Sequence, residues 1–233
     1  MKPKKTFKQV IEEYGFPIVS KKVARYIRDL QNASEKNQRT VNLRLTGLNR
    51  NGKFCPSMKI PDKWVKYKDA PFKVSEQCCD IMKKEPFHRY VKKTGRKAMI
   101  GVMASESNMR EKQWTQQGCN AFELAEPISM PLSFWTEQDI LQYIQKYDIP
   151  YASVYGDIVN EDGKLRMSME QRTGCMFCMF GVHLEKGENR FQRMARTHPT
   201  QYKFCMEKLG LAKILNYMEV NYIPSENTFD KWG

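Results

Sequence analysis

Four of the seven cysteines in this 233-residue chain come in two close pairs: Cys78-Cys79 within VSEQCCDIMKKEP, and Cys175-Met-Phe-Cys178 within RTGCMFCMFG. A Cys-x-x-Cys turn lets two thiolates converge on one metal or cluster, and a flanking glycine permits the turn. The same spacing serves a redox dithiol, and two cysteines can equally be packed in a core. Together the pairs amount to four thiolates, the ligand set of a tetrahedral zinc or of an iron-sulfur cluster. Neighbouring side chains diverge, so an adjacent pair suits the larger cluster better than one small ion. Of the remaining cysteines, Cys205 lies in the helical pattern YKFCMEKL and reads as core. His88, His183 and His198 have no further ligand-type partner at metal-binding spacing, and each reads as a satisfied or exposed histidine.

These residues need elements to hold them. TFKQVIEEYGFPIVSKKVARYIRDLQN contains two helical patterns separated by Tyr-Gly-Phe-Pro, with Val23, Ala24, Tyr26, Ile27 and Leu30 on one face of the second. Residues 32–70 read as an irregular basic insertion, with VNLRL at 41–45 as one short strand. KAMIGVMA has the continuous apolar run of a strand buried on both faces, and ELAEPISMPL suggests a second strand. SFWTEQDILQYIQKYDIP predicts a helix capped by Thr136 with Asp139 and stopped by Pro150; Trp135 and Tyr143, at helical spacing, read as core. Residues 182–233 read as a helical extension of a single domain, 1–233. Strands alternating with helices place the chain in the α/β class with a parallel sheet, whose ligands bind beyond the C-terminal ends of strands. That directs attention to SESNMR after KAMIGVMA, where the planar fork of Arg110 suits phosphate or sulfate oxygens. An ion pair with Glu106 or Glu111 is the alternative use of Arg110.

The formal net charge of +13 attracts anions, phosphorylated small molecules and nucleic acid alike. No apolar run is long enough to cross a bilayer, and MKPKKTFKQ lacks a signal peptide's apolar core, so the expected location is cytoplasmic and no membrane partner is expected. In a reducing cytosol the cysteines serve metal ligation, reactivity or packing rather than disulfides.

The order of the motifs resembles one family. Cys78-Cys79-Asp-Ile-Met-Lys83-Lys84-Glu85-Pro86, followed some ninety-odd residues later by Gly174-Cys175-x-x-Cys178, is similar to the cluster-binding signature of sulfonucleotide reductases, which act on adenylyl sulfate or phosphoadenylyl sulfate. Between them Gly101-Val-Met-Ala-Ser-Glu106-Ser107-Asn-Met-Arg110 resembles the family's substrate loop, with Met103 where that loop has arginine. Pro131-Leu132, Trp135 to Ile140, Tyr143-Ile144 and Ile149-Pro150-Tyr151 match its later succession.

The resemblance implies a Rossmann-like parallel sheet of the adenine-nucleotide α-hydrolase type and thiol-dependent reduction to sulfite, with a thioredoxin-like dithiol as reductant. It implies a four-iron four-sulfur cluster on Cys78, Cys79, Cys175 and Cys178, with zinc as the alternative metal. Lys83, Ser107 and Arg110 would bind substrate, and Arg172 would contact substrate or neutralise cluster charge; no catalytic residue is assigned. The family's N-terminal Ser-Gly-Gly phosphate loop and its C-terminal Glu-Cys-Gly-x-His tail are not found in these residues. The sheet is therefore expected to be N-terminally incomplete, and this chain alone is expected to show little activity. Two other readings keep the cysteines: a sulfurtransferase-type protein of nucleic-acid sulfur modification, and a non-catalytic metal-stabilised binding module.

Overall fold

Val23, Ala24, Tyr26, Ile27 and Leu30 repeat at the spacing that stacks them on one side of a helix, and Ser20 stands in the residue type that caps it. In the computed structural model, which describes residues 1–171 and 173–224, they do form one helix and all five are buried. The helices in chain order are α1 (Phe7–Tyr14), α2 (Lys21–Gln31), α3 (Gln38–Thr46), α4 (Glu85–Thr94), α5 (Asn108–Gln117), α6 (Glu137–Tyr147), α7 (Arg190–Thr197), α8 (Pro199–Lys203) and α9 (Leu211–Tyr217). The strands are β1 (Ile18–Val19), β2 (Ala98–Met99), β3 (Asn120–Ala121), β4 (Ile128–Ser129), β5 (Ile158–Glu161), β6 (Lys164–Met167) and β7 (Met179–Phe180). The chain is thus mixed α/β, and it divides into two compact units where the sequence reads as one domain: Met1–Phe87 with Met176–Gly233, and His88–Cys175.

In the first unit β1 is central. It runs parallel to β7, with Ile18 opposite Met179, while Phe16 just before it bridges in parallel to Val74. Alternate backbone groups of a strand point to opposite edges. Phe16 accordingly bonds Lys73 and Ser75 on one side, and the Val19 carbonyl accepts from Gly181 on the other. Tyr67, Phe191, Ile27, Met179, Leu211 and Ile214 are buried around this short sheet. Residues 32–70 are therefore not an irregular insertion. VNLRL is helical, ended by Gly47 at φ +76°, and Ile60 and Tyr67 are fully buried. The segment α7 to α9 is helical, as its sequence predicts, and supplies core side chains.

The bend from α1 into β1 is made at Gly15, φ +112°, where an added Cβ would lie 2.5 Å from the Lys73 carbonyl carbon and oxygen. That contact is with backbone, which cannot swing aside. Gly15→Ala is expected to cost at least ~2 kcal/mol, through a disfavoured φ and a displaced Phe16–Val74 bridge, in urea denaturation.

In the second unit β4 is central, parallel to β2 and antiparallel to β3. ELAEPISMPL does contain a strand, β4. KAMIGVMA yields only the two-residue β2, with Met99 75% exposed, so the run is not a strand buried on both faces. A continuous apolar run marks burial only if other elements cover it. Thr136 caps α6 in a capping box with Asp139, as its sequence predicts, and Gln138 ties α6 to the β5–β6 hairpin through both polar groups of Leu165. Tyr143, read as core, is 45% exposed because only Leu141 of α6 is buried. Among the described residues no helix is long and apolar enough to cross a membrane.

Candidate functional site

The paired cysteines follow directly from the Val74 edge of the sheet. Ser75, almost fully buried, accepts the Gln77 amide through its hydroxyl (3.1 Å), and the Gln77 carbonyl accepts both Asp80 (2.9 Å) and Ile81 (3.0 Å). This turn starts a π-helical turn, Asp80–Lys84, which continues into α4. Single π turns of this kind are often found at functional sites. Cys78 is buried and Cys79 half-buried, four and five residues beyond the parallel bridge of Val74 to Phe16.

Cys79 ionises more readily than an ordinary cysteine. The Cys78 thiol donates to its sulfur, which outweighs the opposing effect of burial, and the ammonium of Lys21 adds both charge and a hydrogen bond; Lys83 adds charge. Its pKa falls from the usual 9.0 to about 6. Hydrogen bonding to the charged form and nearby opposite charge both favour ionisation. Lys84 is engaged elsewhere, 2.6 Å from Asp80.

Lys21 is the residue that sequence reasoning missed. It is the first residue of α2, immediately after β1 and the capping Ser20. The available signal is a Ser-Lys just past a strand end, but Ile18-Val19 is too short a run to announce a strand. Val19 itself sits at φ +60°, a conformation that costs a β-branched residue ~1–3 kcal/mol. Burial and the bond from Gly181 hold it there.

Cys178 directly precedes β7, on the far side of β1 from Val74, and its carbonyl accepts from Arg190 (3.1 Å). Arg190 is fixed by Glu185. Cys175 is exposed and belongs to the second unit. Among the described residues no three His, Cys, Asp or Glu side chains are grouped to hold a metal ion. The donor chemistry, soft sulfurs with Cys78 and Cys79 adjacent, fits an iron-sulfur cluster.

Of the residues expected to bind substrate, Lys83 stands near Cys79. Ser107 caps α5, its hydroxyl accepting the Arg110 amide, and the Arg110 guanidinium is paired with Glu106. Arg110 thus takes the ion-pair alternative within the second unit. Arg172 lies outside the described residues. Cys205 is fully buried, its thiol donating to the Tyr202 carbonyl (3.2 Å), and burial pushes its pKa up to about 11. The histidines are spread apart in role: His183 packs edge-on against Trp64, with burial lowering its pKa, His88 faces Glu126 and His198 faces Thr197.

The family model described as phosphoadenosine phosphosulfate reductase domain matches residues 12–180. An adenosine 5'-phosphosulfate reductase of Staphylococcus haemolyticus is 28% identical over 106 residues, covering 43% of this chain and 40% of that protein. The chain therefore matches less than half the length of this curated relative. No solved structure matches the chain.

Proposed function

The chain belongs to the phosphoadenosine phosphosulfate reductase domain family, and from that premise we propose that it binds an adenylyl sulfate or phosphoadenylyl sulfate through the nucleotide α-hydrolase type of fold. What carries the proposal is the adjacent Cys78 and Cys79 with Lys21 and Lys83 beside Cys79, just beyond the parallel bridge of Val74 to Phe16. The C-terminal ends of parallel strands are where open α/β sheets bind ligands. Two ammonium groups attract the anionic sulfonucleotide, and the half-buried setting strengthens them relative to open water.

The reaction class is thiol-dependent reduction. A thiolate attacks the sulfate sulfur, the bond from that sulfur to the bridging phosphate oxygen breaks, and the nucleotide leaves as the monophosphate from adenylyl sulfate or the bisphosphate from phosphoadenylyl sulfate. One thiol of a thioredoxin-type dithiol then attacks the protein-borne sulfur of the resulting S-sulfonate, and sulfite leaves. The second thiol of the dithiol resolves the mixed disulfide, which frees the protein thiol and leaves the reductant as a disulfide. Lys21 and Lys83 hold the sulfate near the pair; the attacking thiolate is not assigned to a residue. The iron-sulfur cluster on Cys78, Cys79, Cys175 and Cys178 is carried as part of the proposal on the strength of its donor chemistry, and no step is derived through it.

Calorimetric titration of anaerobically purified protein with each sulfonucleotide tests the reading. Saturable binding is expected, weakened at least tenfold in Lys21→Met/Lys83→Met; absence of binding, or no change in the double variant, overturns it. Iron and acid-labile sulfide in equal amounts in the same preparation support the cluster, and zinc alone replaces it.

A further inference from the structure

The net charge is not spread over the chain. The second unit contains eleven basic and eleven acidic side chains, so the whole excess of +13 lies in the first. Within the first unit, from Lys36 to Pro61, there are six lysines and arginines and no aspartate or glutamate. Arg44 is taken by Asp29 (2.9 Å) and Lys59 by Asp62 (2.8 Å). Among the described residues Lys36, Arg39, Arg50 and Lys53 make no ion pair, and all four are exposed.

Arg50 and Lys53 belong to a small hairpin. Leu48 bridges antiparallel to Phe54, the Asn49 side chain accepts the amides of Asn51 (2.9 Å) and Lys53 (3.0 Å), and Cys55 donates to the Gly47 carbonyl (2.7 Å). The Phe54 ring lies across Gly47, where an added Cβ would come within 2.7 Å of it, yet Phe54 remains 56% exposed. The base of the hairpin is rigid: Tyr26 donates to the Ser57 carbonyl (2.9 Å), the Arg44 guanidinium covers the Tyr26 ring at 3.9 Å, and Ile60 donates to the Arg44 carbonyl. An apolar ring seated on one face and open on the other, between unpaired cations and uncharged amides, has the features of a stacking platform in a phosphate-attracting field.

We infer that this hairpin, with Arg50, Lys53 and Phe54 at its end, binds single-stranded nucleic acid. The cations contact phosphates and an unpaired base stacks on Phe54. A paired base has no free face to offer the ring, which selects single strands over duplex. The inference does not rest on sulfonucleotide binding, so the two can fail separately.

Fluorescence anisotropy with a labelled oligothymidylate and an oligouridylate tests it on the full chain. Binding is expected to weaken steeply with salt. Arg50→Glu/Lys53→Glu should lower the slope of log affinity against log salt by about 1.4, two phosphate contacts at roughly 0.7 each. Phe54→Ala should weaken binding on the order of tenfold at constant slope. Lys146→Glu/Lys164→Glu, the same charge change in the second unit, should leave binding unchanged, with circular dichroism confirming that all variants fold. Equal loss in that control assigns binding to overall charge and overturns the inference. So does equal affinity for duplex, displacement by polyglutamate as readily as by oligonucleotide, or full binding by the hairpin variants.

Discussion

Replacing Gln31 by alanine is expected to destabilise the protein by about 3 kcal/mol in urea denaturation and to loosen the segment that carries the paired cysteines. Gln31, the last residue of α2, makes three bonds to backbone with one side chain. Its Nε2 donates to the carbonyls of Tyr67 (3.1 Å) and Phe72 (2.9 Å), and its Oε1 accepts the Val74 amide (2.9 Å). Val74 is fully buried and bridges to Phe16, four residues before Cys78. The Tyr67 carbonyl keeps its bond from Ala70, so two groups are orphaned, the Phe72 carbonyl and the Val74 amide, and at roughly 1–3 kcal/mol each their upper limit is about twice the value given. The lower figure follows from a cleft of about 640 Å³ that Gln31 and Val74 both line, through which water can reach some of the freed groups. A loss below ~1 kcal/mol would mean that water replaces the side chain completely. Gln31→Glu separates the roles. It keeps the acceptor for Val74 but has no donor for Tyr67 and Phe72, and is expected to fall between wild type and alanine. The Tyr67 carbonyl keeps its bond from Ala70, which makes Phe72 the more exposed to this change.

What could be read from the sequence was local. The cap of α6 at Thr136, the buried face of α2 and the core position of Cys205 each depend on residues within one or two turns, and each stands as expected. The sheet of the first unit was not legible because its strands are two residues long and pair across the chain: Ile18 with Met179, Phe16 with Val74. No periodicity can be seen in two residues. KAMIGVMA misled for the opposite reason, since its apolar run is strong but the second unit leaves Met99 largely uncovered. VNLRL has the β-branched and leucine content of a strand, yet Gly47 ends a helix there and Val41 and Arg44, three apart, face inward. The cysteine pair was legible as a pair. What the sequence could not supply was Lys21, because its approach to Cys79 depends on β1, which nothing in the local pattern announces.

In metal-free protein at pH 7, iodoacetamide is expected to alkylate Cys79 first among the seven cysteines, with a rate that is half-maximal near pH 6. The thiolate is the nucleophile, and a group with pKa about 6 is mostly ionised at pH 7 where an ordinary cysteine is not. Cys205, fully buried with its pKa about 11, is expected to stay unmodified until the fold opens. The contributions rank the variants. Cys78→Ala removes the hydrogen bond, the largest influence, and is expected to move the midpoint upward further than Lys21→Met, which removes a charge and a weaker bond. The shift also couples to stability. Because folding lowers the Cys79 pKa from its usual 9.0, the folded state is favoured by this group above pH 9, and that advantage fades as pH falls from 9 through 6. Cys79→Ser is therefore expected to flatten the dependence of denaturation midpoint on pH between 6 and 9, while leaving the remainder of the profile in place. A midpoint of alkylation at pH 8 to 9, or reaction at Cys178 ahead of Cys79, would show that Cys78 and Lys21 do not act on this sulfur as their positions require. Either outcome would remove the ionised sulfur from the proposed site, while the Lys21→Met/Lys83→Met titration tests the anion-attracting ammonium groups and loss of hairpin binding to single strands leaves both untouched.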